Sequence, residues 1–262
     1  MLSLLFSDPI LLVLTLPVLM LSLTLHEVAH GYAAYKCGDN TAHDMGRLTL
    51  DPFKHLDLMG ALCMLVVGFG WAKPVPVNSR NFKKPKRDMA LVAAAGPATN
   101  LLLCIVSVAL YFVFLAIFSM SQSVDGVAYF RELLEYLPSN PMYYDHLTMY
   151  AELGTVQSIV LQLLALSAML NANLMLFNLI PVPPLDGSRI LAGILPSKWA
   201  YKYLMLERYV RYIIIAICVI NLASQYIPFL SVVTEYIFLP LDWLRNGLLT
   251  VLQKLMLLIF GR

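Results

Sequence analysis

Apolar residues run without a single charge through 9–25, 89–124, 153–185 and 212–234. About 20 such residues wound as a helix cross a hydrocarbon core of about 30 Å. The runs therefore predict membrane helices over about 9–36, 88–118, 150–180 and 208–227. A further uncharged stretch, Leu58 to Ala72, is only 15 residues long and carries Gly60, Gly68 and Gly70. It is too short to cross comfortably and is read as part of a re-entrant or β-hairpin-like element at about 46–77. Within that element Arg47 to Leu50 and Val75 to Val77 are β-prone. The tail from Phe229 to Phe260 mixes apolar residues with Glu235, Asp242, Arg245 and Lys254; it fits either a returning span or an interfacial amphipathic helix. The pattern as a whole is that of an all-α polytopic membrane protein with one or two C-terminal membrane helices.

Composition agrees with the pattern. Of 262 residues 60% are hydrophobic and 13% charged, about half the charged share of an ordinary soluble domain. A formal net charge of +2 offers no excess for a polyanion, which argues against nucleic acid as a partner. No repeat, low-complexity tract or long polar insertion stands out, so residues 1–262 read as a single membrane-embedded domain, with a core at about 9–195 and C-terminal helices at about 200–262. The first run lacks a basic flank and a small-residue cleavage site, so it is expected to stay in the mature chain. Cys37, Cys63, Cys104 and Cys218 form no CxxC pair and read as buried, unpaired thiols.

The placement of Lys and Arg gives an orientation. Lys73, Arg80, Lys83, Lys84, Lys86 and Arg87 precede the second long run, and Lys198, Lys202, Arg208 and Arg211 precede the last. Short loops rich in Lys and Arg face the cytosol, which predicts an external N-terminus, a cytosolic 37–87 and an external 119–149. The basic run from Arg80 to Arg87 doubles as a lipid-headgroup anchor, and Tyr143, Tyr144 and Tyr150 read as interfacial anchors.

The candidate chemistry lies in the first helix, at His26-Glu27-Val28-Ala29-His30. Side chains four apart sit one turn above each other on a helix, so the two imidazoles can share a metal ion while Glu27 stands beside a metal-activated water as its base. Counting from Pro9 at about 1.5 Å per residue puts His26 roughly 26 Å along the helix, below the membrane surface on the cytosolic side. A hydrolytic zinc needs a third protein ligand, and His43, His55, Asp39, Asp51, Asp57 and Asp186 are all candidates. Asp186 differs from the others. It closes a long uncharged run, and Pro181, Pro183 and Pro184 just before it must unwind the third helix. Residue types alone weigh it evenly between a metal ligand and a helix-capping Asp in a Pro-rich turn.

HEVAH followed downstream by Asn178-Leu-Ile-Pro-Val-Pro-Pro-Leu-Asp186-Gly187 resembles the site-2 protease family of intramembrane zinc metalloproteases. Gly96-Pro97-Ala98-Thr99-Asn100 is similar to that family's GPxxN element. Gly46 to Pro52 and Trp71 to Val77 look like its short bacterial subgroup without PDZ or CBS domains. The resemblance implies a three-helix catalytic core and one zinc per chain, held by His26, His30 and Asp186. It also implies that Glu27 activates water, and that Asn178 positions substrate or stabilises the oxyanion. Transmembrane proteins are the implied substrates and membrane lipid the surroundings, in a bacterial inner membrane with the site towards the cytosol. A metal or ion transporter using the same His and Asp groups is the alternative. Asn100, Asn171 and Asn173 interrupt the spans and suit hydrogen bonding between helices.

Overall fold

The computed structural model describes residues 9–60, 71–122, 155–224 and 228–260. Seven helices of eight or more residues carry the described fold: α1 Pro9–Lys36, α2 Pro85–Gln122, α3 Thr155–Leu179, α4 Asp186–Ile194, α5 Ser197–Leu204, α6 Glu207–Ser224 and α7 Pro228–Phe260. Three are opened by proline, whose fixed φ suits the first helical position, where its missing N–H costs nothing. Within α1 and α2, Pro17 and Pro97 are retained, as membrane helices tolerate when neighbouring helices take up the freed carbonyls. The end of α1 is set by Gly38 at φ +105°. That conformation lets Asp39 N–H donate to the Ala34 carbonyl at 2.9 Å, closing the helix with a left-handed residue as glycine favours.

Among the described residues three helices are long and apolar enough to cross a membrane, over Leu11–Lys36, Pro85–Phe118 and Val156–Leu179. These are the first three runs read from the sequence. The fourth run gives α6, described as far as Ser224, which opens with Glu207, Arg208 and Arg211, three charges within two turns. The tail is one continuous helix, α7, whose Leu249 and Leu252 are buried against α2 and α3. Its Arg245 and Asp242 pair at 2.8 Å.

The central helix is α2, which packs against α1, α3 and α4. Along one stretch Cys104, Val108, Tyr111, Phe112 and Leu115 of α2 meet Leu161, Ala168 and Ala172 of α3 in a fully buried cluster. Cys37 and Cys104 are free thiols. The connection holding Tyr143, Tyr144 and Tyr150, and Cys63, lie outside the described residues.

The hairpin-like element is visible only at its base, since 61–70 lie outside the described residues. There Leu56 and Ala72 form an antiparallel bridge and Lys73 N–H donates to the His55 carbonyl at 2.8 Å. Neither β-prone stretch forms a strand among the described residues, because their backbone groups are used elsewhere. Arg47 N–H donates to the Ala42 carbonyl, Val75 N–H goes to a side chain of α1, and Pro74 and Pro76 have no N–H to give. The Arg47 guanidinium ties the two stretches together by donating to the Lys73 carbonyl at 2.8 Å.

Candidate metal centre

His26 and His30 sit one turn apart on α1 with their rings nearly perpendicular, at 87°. Their Nε2 atoms are 3.0 Å apart. Asp186, the first residue of α4, brings its Oδ2 to 3.2 Å from each. Both imidazoles are bound from behind. His30 Nδ1–H donates to the Val92 carbonyl at 2.7 Å and His26 Nδ1–H to Asn100 Oδ1 at 2.5 Å. A neutral imidazole carries one N–H, so both Nε2 atoms present lone pairs. The buried Asp186 Oδ2 has no hydrogen-bond donor. With both imidazoles neutral, three lone-pair atoms converge on one point, the donor set of a cation site. Zinc with ligand bonds of about 2.0–2.1 Å sets tetrahedral neighbours about 3.3–3.4 Å apart, close to the separations seen, so the donor set fits that ion in kind and in spacing.

Local chain chemistry builds this triangle. The prolines end α3 at Leu179 and hold Ile180 to Leu185 out of the helix, with a cis bond between Pro183 and Pro184. The chain restarts as α4 directly against the end of α3. A Cβ at Gly187 would overlap the Leu179 carbonyl and lie 2.6 Å from that of Ile180, so only glycine permits the turn that aims Asp186 at α1. On the other side, a Cβ at Gly96 would overlap the His30 ring and reach within 2.6 Å of His26 Cε1. Glycine there lets α2 close on the histidine face. Tyr203 of α5 braces the unwound segment by donating to the Pro181 carbonyl at 2.5 Å.

Glu27 is half-buried beside His26, and its Oε2 accepts the Val75 N–H at 2.9 Å. The carboxylate is thus docked on the 71–77 stretch of the hairpin-like element. Asn178 lies in the last turn of α3 and donates one amide N–H to the Leu174 carbonyl at 2.9 Å. A primary amide has a second N–H.

A model of the peptidase family M50 matches residues 14–221. The chain belongs to peptidase family M50, the site-2 protease family. A Bacillus subtilis (strain 168) relative named "Putative zinc metalloprotease YwhC" is 39% identical over 191 residues, 73% of either chain. A Mycolicibacterium smegmatis relative named "Putative zinc metalloprotease Rip2" is 33% identical over 91 residues, 33% of this chain and 35% of its own length. No solved structure matches the chain at a significant level. Family, His and Asp cluster and apolar helices together support a zinc metalloprotease that is a multi-pass membrane protein.

In this M50 peptidase the other five candidate ligands are occupied elsewhere. His43 is exposed and pairs with Asp44 at 3.1 Å. His55 is buried with Nε2 on the Thr49 carbonyl, Asp51 caps Phe53 N–H, and Asp57 accepts Gly60 N–H at 2.8 Å. Asp39 is fully buried and knots the loop to the segment before α2. Burial raises its pKa, but donation from Thr41, the Asn78 N–H and the Asn81 amide outweighs this and holds the carboxyl below its ordinary value. Three contributors escaped the sequence reading: the Val92 carbonyl and Val75 N–H, which are backbone groups and leave no residue signature, and Gly96, noted for its motif but not for the space it leaves.

Proposed function

We propose that the protein is an intramembrane endopeptidase of site-2 type, which hydrolyses peptide bonds in or near transmembrane segments of other membrane proteins. The observation that carries this reading is the triangle of His26 Nε2, His30 Nε2 and Asp186 Oδ2 at 3.0–3.2 Å on apolar helices. One zinc held by these three atoms supplies the Lewis acidity that makes water reactive near neutral pH. Glu27 takes the proton from the attacking water and returns it to the leaving amide nitrogen, the work of a general acid–base. Asn178 offers its second amide N–H to the substrate carbonyl as that oxygen gains charge.

The Lys and Arg asymmetry supports a cytosolic-side site in a bacterial inner membrane, with α6 and α7 as further membrane helices. Substrate would enter laterally from the lipid. The transporter reading gains nothing from Glu27, a base with no part in carrying an ion. Reconstitution of Glu27→Gln in proteoliposomes with a transmembrane substrate tests the proposal. The variant should keep its zinc and fold while cleavage falls roughly 10²–10⁴-fold. Cleavage at the wild-type rate would overturn the assignment of Glu27.

A further inference from the structure

A polar seam runs away from the triangle through the middle of the three spans. Asn100 Nδ2 donates to Asn171 Oδ1 at 2.8 Å. Asn171 Nδ2 in turn donates to Ser22 Oγ and to the Ser167 carbonyl, each at 2.9 Å. Asn100 and Asn171 are fully buried, and the seam ties α1, α2 and α3 together at one level. We infer that Asn171, acting through Asn100, is a positioning residue that fixes the tautomer of His26. This inference rests on the zinc reading given above.

The reason is that the seam can run in one direction only. A primary amide has a donor end and an acceptor end of almost the same shape, so Asn100 by itself could meet His26 with either. The far end of the seam has no such freedom. Ser167 contributes a backbone carbonyl, which only accepts. Ser22 has already spent its hydroxyl hydrogen on the Val18 carbonyl at 2.8 Å, so towards Asn171 it too can only accept. Both N–H bonds of Asn171 are thereby claimed, and its oxygen must face Asn100. Asn100 must then answer with its amide nitrogen, which turns its own oxygen to His26. That oxygen accepts the Nδ1 proton and leaves the Nε2 lone pair for the metal. A reversed Asn100 would put N–H against Nδ1 and a proton on Nε2, where a ligand atom is required. His30 needs no such chain, because the Val92 carbonyl imposes the same tautomer directly.

The relay predicts a pattern that simple packing damage does not. Aspartate at position 100 presents an oxygen to His26 Nδ1 in either orientation, so the tautomer should no longer depend on residue 171; its second oxygen meets Asn171 Oδ1, acceptor against acceptor, which costs stability and is why zinc affinity is read per folded molecule. Zinc affinity of the purified full chain in detergent, measured by competition with a chromophoric chelator, provides the test. Asn171→Leu should lose roughly 10–100-fold in zinc affinity, the usual effect of removing a group that orients a ligand. Asn100→Asp should stay within about threefold of wild type, since a carboxylate behind a zinc histidine is itself a common arrangement. Adding Asn171→Leu to Asn100→Asp should cost nothing further. Asn100→Leu, which removes the acceptor outright, should match the loss in Asn171→Leu and serves if the latter does not fold. Wild-type affinity in Asn171→Leu, or an equal loss in both backgrounds, would overturn the relay. If His26→Ala binds zinc as wild type does, the zinc reading itself fails and the relay with it. If His26→Ala loses zinc while Asn171→Leu and Asn100→Leu do not, the relay alone fails.

Discussion

The interface between α2 and α3 has two halves held together by different physics. In one, Val108, Tyr111, Phe112 and Leu115 pack on Leu161 and Ala168 with no accessible surface left. In the other, Asn100 and Ser107 face Asn171 and Ser167 through hydrogen bonds of 2.7–2.8 Å. Lipid tails are as apolar as leucine, so the first half gains from close packing rather than from leaving water. Packing of that kind has no direction, and a different set of side chains of the same volume would serve. The second half is directional, since each amide end has one acceptable partner. Stability can come from either half, but only the polar one can transmit a choice of tautomer to the metal site.

Three substitutions sharpen or break this contrast, and Asp186→Ala has the largest expected effect. A hydrolytic zinc takes three protein ligands, so the variant should retain less than about a tenth of the wild-type metal after dialysis, read by elemental analysis, while its helices stay assembled. Unchanged zinc would return the third ligand to the 39–57 segment and separate the polar seam from any metal role. Phe112→Ala comes next. Removing a large buried ring leaves a cavity worth about 3 kcal/mol, so detergent-dependent unfolding should shift by that order while zinc affinity per folded molecule stays the same. A parallel fall in zinc affinity would mean that the apolar half also reaches the site. The smallest change is expected for Ser107→Ala, which breaks the Ser107–Ser167 contact but leaves the Ser167 carbonyl and Ser22 in place as the acceptors that orient Asn171. An interhelical hydrogen bond in a membrane is worth about 0.6 kcal/mol. Unfolding should move by no more than that and zinc affinity should not move at all.

The three apolar runs became α1, α2 and α3 with ends within a few residues of those predicted, because helix formation in lipid depends on hydropathy and length, both local. The closeness of His26 and His30 was equally legible, since four residues of one helix fix their spacing. The hairpin-like element was less so. Its β-prone stretches hand their backbone groups to Ala42 and Glu27, partners that no local pattern shows.

The sequence alone determined what is short-range: the spans, the histidine pair with Glu27 beside it, and the proline-forced break ahead of Asp186. Residue types left Asp186 level with a mere helix cap, and only the resemblance to a family favoured it. Tertiary structure decided the rest. Asp186 meets the histidines because Gly187 lets α4 turn back against α3, and Gly96 lets α2 close over both rings. The five rival ligands were dismissed by the partners each found in space. Asn100 and Asn171 could be read as hydrogen-bonding residues, but the direction of their bonds is set jointly by the Ser167 carbonyl one turn earlier on α3 and by Ser22 on α1. An amide's orientation follows from groups brought near it by folding, and no order of letters along one chain segment contains it.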